Sequence, residues 1–144
     1  MNFELVNQNG EAINTADHKG KKIVFFYPKA STAGWAKELK GFGEAYEDFK
    51  AMGIEIYGVS KDSIKRQFNF AKKQESTINL LSDAETTVCE DFGVWQLKKM
   101  CGKEYMGIVR STFIIDEGGE VLKEWRKVKV AGHVEEVMAV CKEI

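Results

Sequence analysis

Three short apolar runs constrain this chain more than any other feature: "KKIVFFYP" at 21–28, "IEIYGVS" at 54–60 and "INLLSD" at 78–83. Each is rich in β-branched and aromatic residues, and none alternates cleanly between apolar and polar. That is the signature of strands covered on both faces, and hence of a parallel sheet. The segments between them read as helices. In the first, Trp35, Leu39, Phe42, Tyr46 and Phe49 recur at spacings of three and four, behind a Ser31/Thr32 cap and ahead of a closing Gly53. Gly41 and Gly43 are points where that helix can bend. "DSIKRQFNFAKKQE" at 62–75 forms the second helix and "AETTVCEDFG" at 84–93 a third.

The flanks add antiparallel material. "FELVNQNGEAIN" at 3–14 places Asn9-Gly10 between apolar runs and predicts an N-terminal hairpin whose two turn residues both take positive φ. After a polar loop, "QLKKMCGKEYMG", a second hairpin in "STFIIDEGGEVLKEW" turns at Gly118-Gly119, and "GHVEEVMAVCKEI" closes the chain as an amphipathic helix. The expected architecture is α/β: a thioredoxin-like three-layer α/β/α sandwich with a mixed central sheet and an N-terminal β-hairpin. No repeat or linker divides the chain, so residues 1–144 are expected to form one domain.

Charge excludes several partner classes. Lys and Arg number 21 against 22 Asp and Glu, for a net charge of −1, which leaves no basic field for nucleic acid or an anionic membrane. No stretch approaches the roughly 18 apolar residues of a membrane span, and no leader pattern opens the chain. A cytoplasmic protein is expected. Three cysteines without a C-x-x-C pair suit a reducing compartment. His18 and His133 share no ligand spacing with any Cys or acidic cluster, so no metal is expected. "GFGEAY" lacks the third glycine of a dinucleotide fingerprint and reads as helix packing. The pairs Glu90-Asp91 and Glu135-Glu136 read as solvated helix faces.

The same residues carry a resemblance. "FELVNQNGEAI", "FFYPKASTAGWAKELKGF", "LLSDAETTVCEDFGVW" and "KEYMGIVRSTFIIDEGGEVLKEWRKVKVAGH" stand in the order and near the spacing of the peroxiredoxins of the bacterioferritin comigratory protein type, also called peroxiredoxin Q. The likeness runs from Phe3 to about Val137. Against that family the chain looks clipped at its N-terminus. The resemblance implies a thioredoxin-like fold and a peroxidase that reduces hydroperoxides with a thioredoxin-like reductant. It implies no cofactor, and a monomer or weak dimer.

Such enzymes place a nucleophilic cysteine in a loop reading Pro-x-x-x-Thr-x-x-Cys. Here the pattern aligns as Pro28, Thr32 and Trp35, so an indole occupies the peroxidatic position. A thiolate at a helix N-terminus beside an arginine is acidified and attacks peroxide; an indole offers only an N–H. Some relatives carry a resolving cysteine five residues later, where this chain has Lys40. Others carry it in the helix after the third strand, where this chain has Cys89. By the resemblance, Cys89 is the resolving thiol, Arg110 holds the thiolate and polarises the peroxide, Thr32 bonds the substrate oxygen and Pro28 shields the loop. Ala33 stands for a usual proline, and Ala30-Ser31 for two acidic residues.

Taken alone, each residue has an ordinary reading. Trp35 fits a core aromatic, Cys89 a plain helix residue, Arg110 a surface ion-pair partner and Thr32 a cap. Cys141 belongs to an apolar stripe with Val134, Val137 and Met138, and Cys101 sits before Gly102 in a charged turn as an exposed thiol. Three explanations of Trp35 stand open: a natural pseudoenzyme serving as a thioredoxin-fold binding protein, a variant made to block the site, or a UGA codon read as selenocysteine in the source.

Overall fold

The computed structural model describes residues 2–28, 33–84, 86–126, 128 and 132–143, without the side chains of residues 33–35, 38 and 100. The Ser31/Thr32 cap lies outside the described residues. Strand β1 (Glu4–Asn7) and β2 (Ala12–Asn14) form the first hairpin, followed by β3 (Lys22–Phe26), α1 (Ala33–Ala51), β4 (Glu55–Ser60), α2 (Ile64–Lys73) and β5 (Asn79–Ser82). A one-turn helix α3 (Val88–Asp91) precedes β6 (Trp95–Met100) and β7 (Lys103–Ile108). Then come β8 (Ser111–Ile115), β9 (Val121–Arg126) and α4 (His133–Glu143).

Seven strands form one sheet in the order β2-β1-β5-β4-β3-β8-β9. The three runs singled out in the sequence are its parallel centre: β3 pairs with β4 and β4 with β5, all parallel. The flanking pairs are antiparallel, β1 on β5 and β8 on β3. This is the mixed α/β thioredoxin-like architecture. Alternate residues of β3 serve two cores. Ile23 and Phe25 meet Leu39, Phe42 and Phe49 of α1, together with residues of α2 and α4. Val24 and Phe26 face the opposite way, onto Val88, Cys89 and Phe92 around α3. The second face is packed against the four-residue α3 where the sequence predicted a helix across 84–93.

Phe25 and Phe42 stack with centroids 4.8 Å apart, fixing α1 on the sheet. Gly41 supports the helix-packing reading of "GFGEAY". A β-carbon there would lie 3.0 Å from Val134 Cγ2, so its absence lets α4 approach α1.

Both hairpins of the main sheet turn where predicted, by a device the sequence reading missed. Asn7 Oδ1 accepts from the Asn9 and Glu11 amides at 2.9 and 3.0 Å, and Gly10 takes φ +78°. Asp116 Oδ1 does the same for Gly118 and Glu120 at 2.9 and 2.8 Å, with Gly119 at φ +89°. The loop is thus Asx-x-x-Gly-Glu, twice over. Asn9 does not share the positive φ expected of a two-residue turn.

The stretch "QLKKMCGKEYMG", expected to be a loop, is a two-stranded ladder of its own. β6 pairs antiparallel with β7, and Met100 opposite Lys103 leaves the two-residue turn Cys101-Gly102. Here both turn residues have positive φ, +51° and +77°. These strands were hidden because they lie mostly in solvent, so no apolar alternation marks them.

His133 begins α4 buried, its Nε2 2.8 Å from Thr112 Oγ1 and its ring edge-on to Phe42 and Trp125. Burial pushes its pKa below the ordinary 6.5, opposed by the charge of Glu136. The folded state thus prefers neutral imidazole. The unfolded chain binds the extra proton first, so this contribution is complete above about pH 6.5 and declines as pH falls through that value. His133→Gln will therefore destabilise the chain more at about pH 8 than at about pH 5, read as the difference in urea midpoint between the two proteins at each pH.

Candidate functional site

The candidate site gathers at the C-terminal ends of the parallel strands, where an open α/β sheet presents its loops. The β3 strand ends at Phe26. Tyr27 continues it, its amide donating to Val59 O at 3.1 Å, and Pro28 follows. The next described residues open α1, with position 35 third in the helix and so in its first turn. Backbone amides there are unpaired by the helix and point along its axis, favouring negative charge. Thr32 lies outside the described residues, as does the side chain of Trp35.

Arg110 reaches the same end of the sheet from the other direction. Phe26 pairs with Ser111 across β3 and β8, so the preceding Arg110 falls opposite Tyr27. Its backbone carbonyl accepts from the Val128 amide at 2.9 Å. Its charge is felt by Lys98, whose pKa is lowered first by burial and then by Arg110.

Beneath Pro28 lies a buried polar cluster that sequence reasoning did not find. The Tyr27 hydroxyl donates to Gln67 Oε1 of α2. Gln67 Nε2 donates to Ser60 Oγ at 2.9 Å and to Leu81 O at 3.2 Å, and Ser60 Oγ donates to Asp62 Oδ2 at 2.8 Å. Ser82 Oγ closes the set by donating to Asp62 O at 2.7 Å. The ends of β3, β4 and β5 are thereby tied to one another under the loop. Burial raises the Tyr27 phenol far above its usual pKa, so it remains a neutral donor.

Cys89 sits across the sheet from α1, fully buried at 0% exposure. Burial pushes its thiol pKa up, and the hydrogen bond to the neighbouring Asp83 carboxylate pushes it further, with partial relief from Lys61. A thiol in this setting is protonated and inert as it stands.

Asp83 is the organiser here. Its carboxylate, also at 0% exposure, accepts from Val88 N at 3.1 Å, Cys89 N at 2.7 Å and the Thr86 hydroxyl. Thr87, at the cap position of α3, makes no side-chain cap bond, so Asp83 does the capping from four residues upstream. Burial pushes the Asp83 pKa up, but the bonds from Thr86, Cys89 and Val88 outweigh it and hold the carboxyl below its usual range.

A cleft of about 790 Å³ opens beside these groups, between Pro28, the Lys61–Arg66 segment and the β6–β7 ladder, which contributes Trp95, Lys98 and Tyr105. Lys61 Nζ lies 5.3 Å from the Trp95 ring centroid, on the wall between cleft and α3. The ladder side of the cleft offers Trp95, Tyr105, Met106 and Ile108 with Lys98 among them, and the opposite wall carries Lys61, Asp62 and Arg66, so apolar surface and charge meet in one place.

The comparisons with known proteins agree with this geometry. The AhpC/TSA family model matches residues 1–124. Peroxiredoxin Bcp of Bacillus subtilis is 46% identical over 143 residues, covering 99% of this chain and 91% of the relative. The chain belongs to the AhpC/TSA family, among the Bcp-type peroxiredoxins. A putative peroxiredoxin bcp of Coxiella burnetii is 44% identical over 137 residues, 94% of this peroxiredoxin and 91% of the relative. A solved structure of Xanthomonas campestris peroxiredoxin Q superposes with a TM-score of 0.92 at 39% identity, over 98% of this chain and 90% of that one. Mycobacterium tuberculosis peroxidoxin BcpB does so at 0.87 and 31%, over 100% and 94%.

Of the residues singled out in the sequence, Pro28, Arg110 and the backbone of position 35 share one end of the peroxiredoxin sheet. Cys89 lies under the opposite face. Cys141 is buried in the α4 core and Cys101 is exposed at the ladder tip, as expected. Asp83, Lys61 and Gln67 are the additions. Only Asp83 left a trace in the sequence, an acidic residue between a strand and a helix.

Proposed function

We propose that this chain has the frame of a cytoplasmic, single-domain thiol peroxidase, a monomer or weak dimer, and that Trp35 stands where its nucleophile belongs. The frame's chemistry is the reduction of hydrogen peroxide and organic hydroperoxides by a thioredoxin-like dithiol. With a thiolate at position 35, sulfur attacks the terminal peroxide oxygen and the O–O bond breaks. The alcohol or water leaves with a proton, and a sulfenic acid remains. Arg110 holds the thiolate and polarises the peroxide, Thr32 bonds the substrate oxygen and Pro28 shields the sulfur. The Cys89 sulfur then attacks the sulfenic sulfur, water departs, and the disulfide formed is returned to two thiols by the reductant.

The observation that carries this reading is the β3–β8 register. It sets Arg110 opposite Tyr27, one residue before Pro28, at the end of the sheet where the first turn of α1 holds position 35. Cys89 does not supply the missing sulfur as it stands, since it is buried with its ionisation suppressed.

The chain as it stands will accordingly not consume hydrogen peroxide when supplied with thioredoxin and its reductase, followed by reductant oxidation. Turnover that persists in the Cys89→Ala, Cys101→Ala double variant would overturn the alignment of position 35. Turnover lost with Cys89→Ala alone would give that thiol the peroxidatic role.

A further inference from the structure

A helix of one turn has almost no stability of its own, because closing its first hydrogen bonds orders more backbone than they repay. The α3 helix, which buries Cys89, must therefore be held from outside, and it is held at both ends by cations from distant segments. At the N-terminal end Lys61 Nζ lies 2.7 Å from Glu90 Oε1 and 3.4 Å from Asp83 Oδ2, and donates to Thr86 O at 2.8 Å. It thus bonds the loop before α3, the carboxylate that caps it and a residue within it. At the C-terminal end Arg126 of β9 donates to the C-cap carbonyl, Phe92 O, at 3.1 Å and to Gly93 O at 3.2 Å, the latter shared with Gln96 Nε2 at 2.8 Å. The guanidinium also lies 5.4 Å from the Phe113 ring centroid. A cation at a helix N-terminus opposes the dipole, so Lys61 is tolerable there only through Asp83 and Glu90.

We propose that Lys61 and Arg126 are positioning residues that latch α3 shut over Cys89, so that undoing either one exposes this thiol without unfolding the rest of the molecule. The proposal rests on the reading of Cys89 as a thiol that must emerge to form a disulfide. Lys61 is the part of the latch within reach of an occupant of the cleft, because its ammonium lines that cleft while its other partners lie behind the wall. Whatever anionic group enters there competes with Asp83 and Glu90 for the same cation.

The chain has an internal control for the test. Cys141 is also buried, but in the α4 core on the far face of the sheet, so its reactivity reports opening away from α3, whether of the whole fold or of the end of α4. In a Cys101→Asn background, iodoacetamide labelling of each cysteine is followed by peptide mass spectrometry for the parent, Lys61→Met, Lys61→Arg and Arg126→Met. Lys61→Met and Arg126→Met are expected to label Cys89 about tenfold faster or more, with the Cys141 rate unchanged and Lys61→Arg near the parent. About 1 M sodium chloride should accelerate Cys89 in the parent and have little effect on Lys61→Met, which keeps the test open if a variant folds poorly.

Equal rates for Cys89 in parent and Met variants would overturn the latch. So would a parallel rise at Cys141, which would mean general destabilisation. No peroxide enters the assay, so failure of the latch is separate from failure of the peroxidase reading, which is decided by disulfide mapping at position 35.

Discussion

Trp35→Cys will give the chain a thiol that ionises well below the reference pKa of about 8.5 and reacts with hydrogen peroxide, where the parent does not react. The cause is positional. The new sulfur stands in the first turn of α1, among backbone amides the helix leaves unpaired, with Arg110 across the sheet from Tyr27. One equivalent of peroxide should convert it to sulfenic acid, which then condenses with Cys89. That second step requires α3 to open, because Cys89 has no exposed surface and a disulfide needs α-carbons within about 7 Å. Peptide mapping should find a bond between position 35 and Cys89. It should be absent in Trp35→Cys/Cys89→Ala and form at least about tenfold more slowly with Arg110→Ala, which removes the cation proposed to stabilise developing negative charge. A new thiol that stays reduced, or that pairs with Cys101, would show a site no longer arranged for this chemistry.

Gln67→Leu is expected to lower stability by about 2–4 kcal/mol. Gln67 is fully buried, and its amide serves Tyr27, Ser60 and Leu81 at once. Leucine fills similar volume but removes the amide that joins Tyr27, Ser60 and Leu81 in a dry setting. For a chain of this size the corresponding fall in Tm is roughly 6–12 °C. Tyr27→Phe removes one hydroxyl and should cost less than Gln67→Leu. A shift for Gln67→Leu under about 1 kcal/mol would mean that apolar packing replaces the cluster without penalty.

The parallel centre of the sheet could be read from the chain because its strands are buried on both faces, which leaves unbroken apolar runs. Burial is also what made Leu39, Phe42 and Phe49 legible on α1. The β6–β7 ladder fails that test. With most of its side chains in solvent it has no apolar period, and its tight turn is written Cys-Gly where Asn-Gly would have announced it. Asn9-Gly10 marked the first hairpin correctly but not its turn, since the loop there is organised by Asn7 two residues earlier and Asn9 does not take positive φ. At the candidate site, Pro28, Cys89 and Arg110 were singled out through likeness to a family motif. Gln67, Lys61 and Asp83 were not, because their importance lies in contacts across 14 to 40 residues of sequence, or in a cap reaching past its usual position. No local pattern encodes such a partner.

The turn at Cys101-Gly102 has a practical side for anyone engineering this protein. A non-glycine residue at φ +51° is in the left-handed region, where Asn is at ease and most side chains cost of order 1 kcal/mol. Cysteine gains nothing there, since its sulfur faces water at the ladder tip. The usual remedy for an unwanted surface thiol, serine, would keep the backbone penalty. Asparagine removes the oxidisable atom and relaxes the backbone together, tightening the ladder that forms one wall of the cleft. Cysteine-free and single-cysteine versions of this chain are therefore best built from position 101 outward, starting with a substitution that should strengthen the fold it modifies.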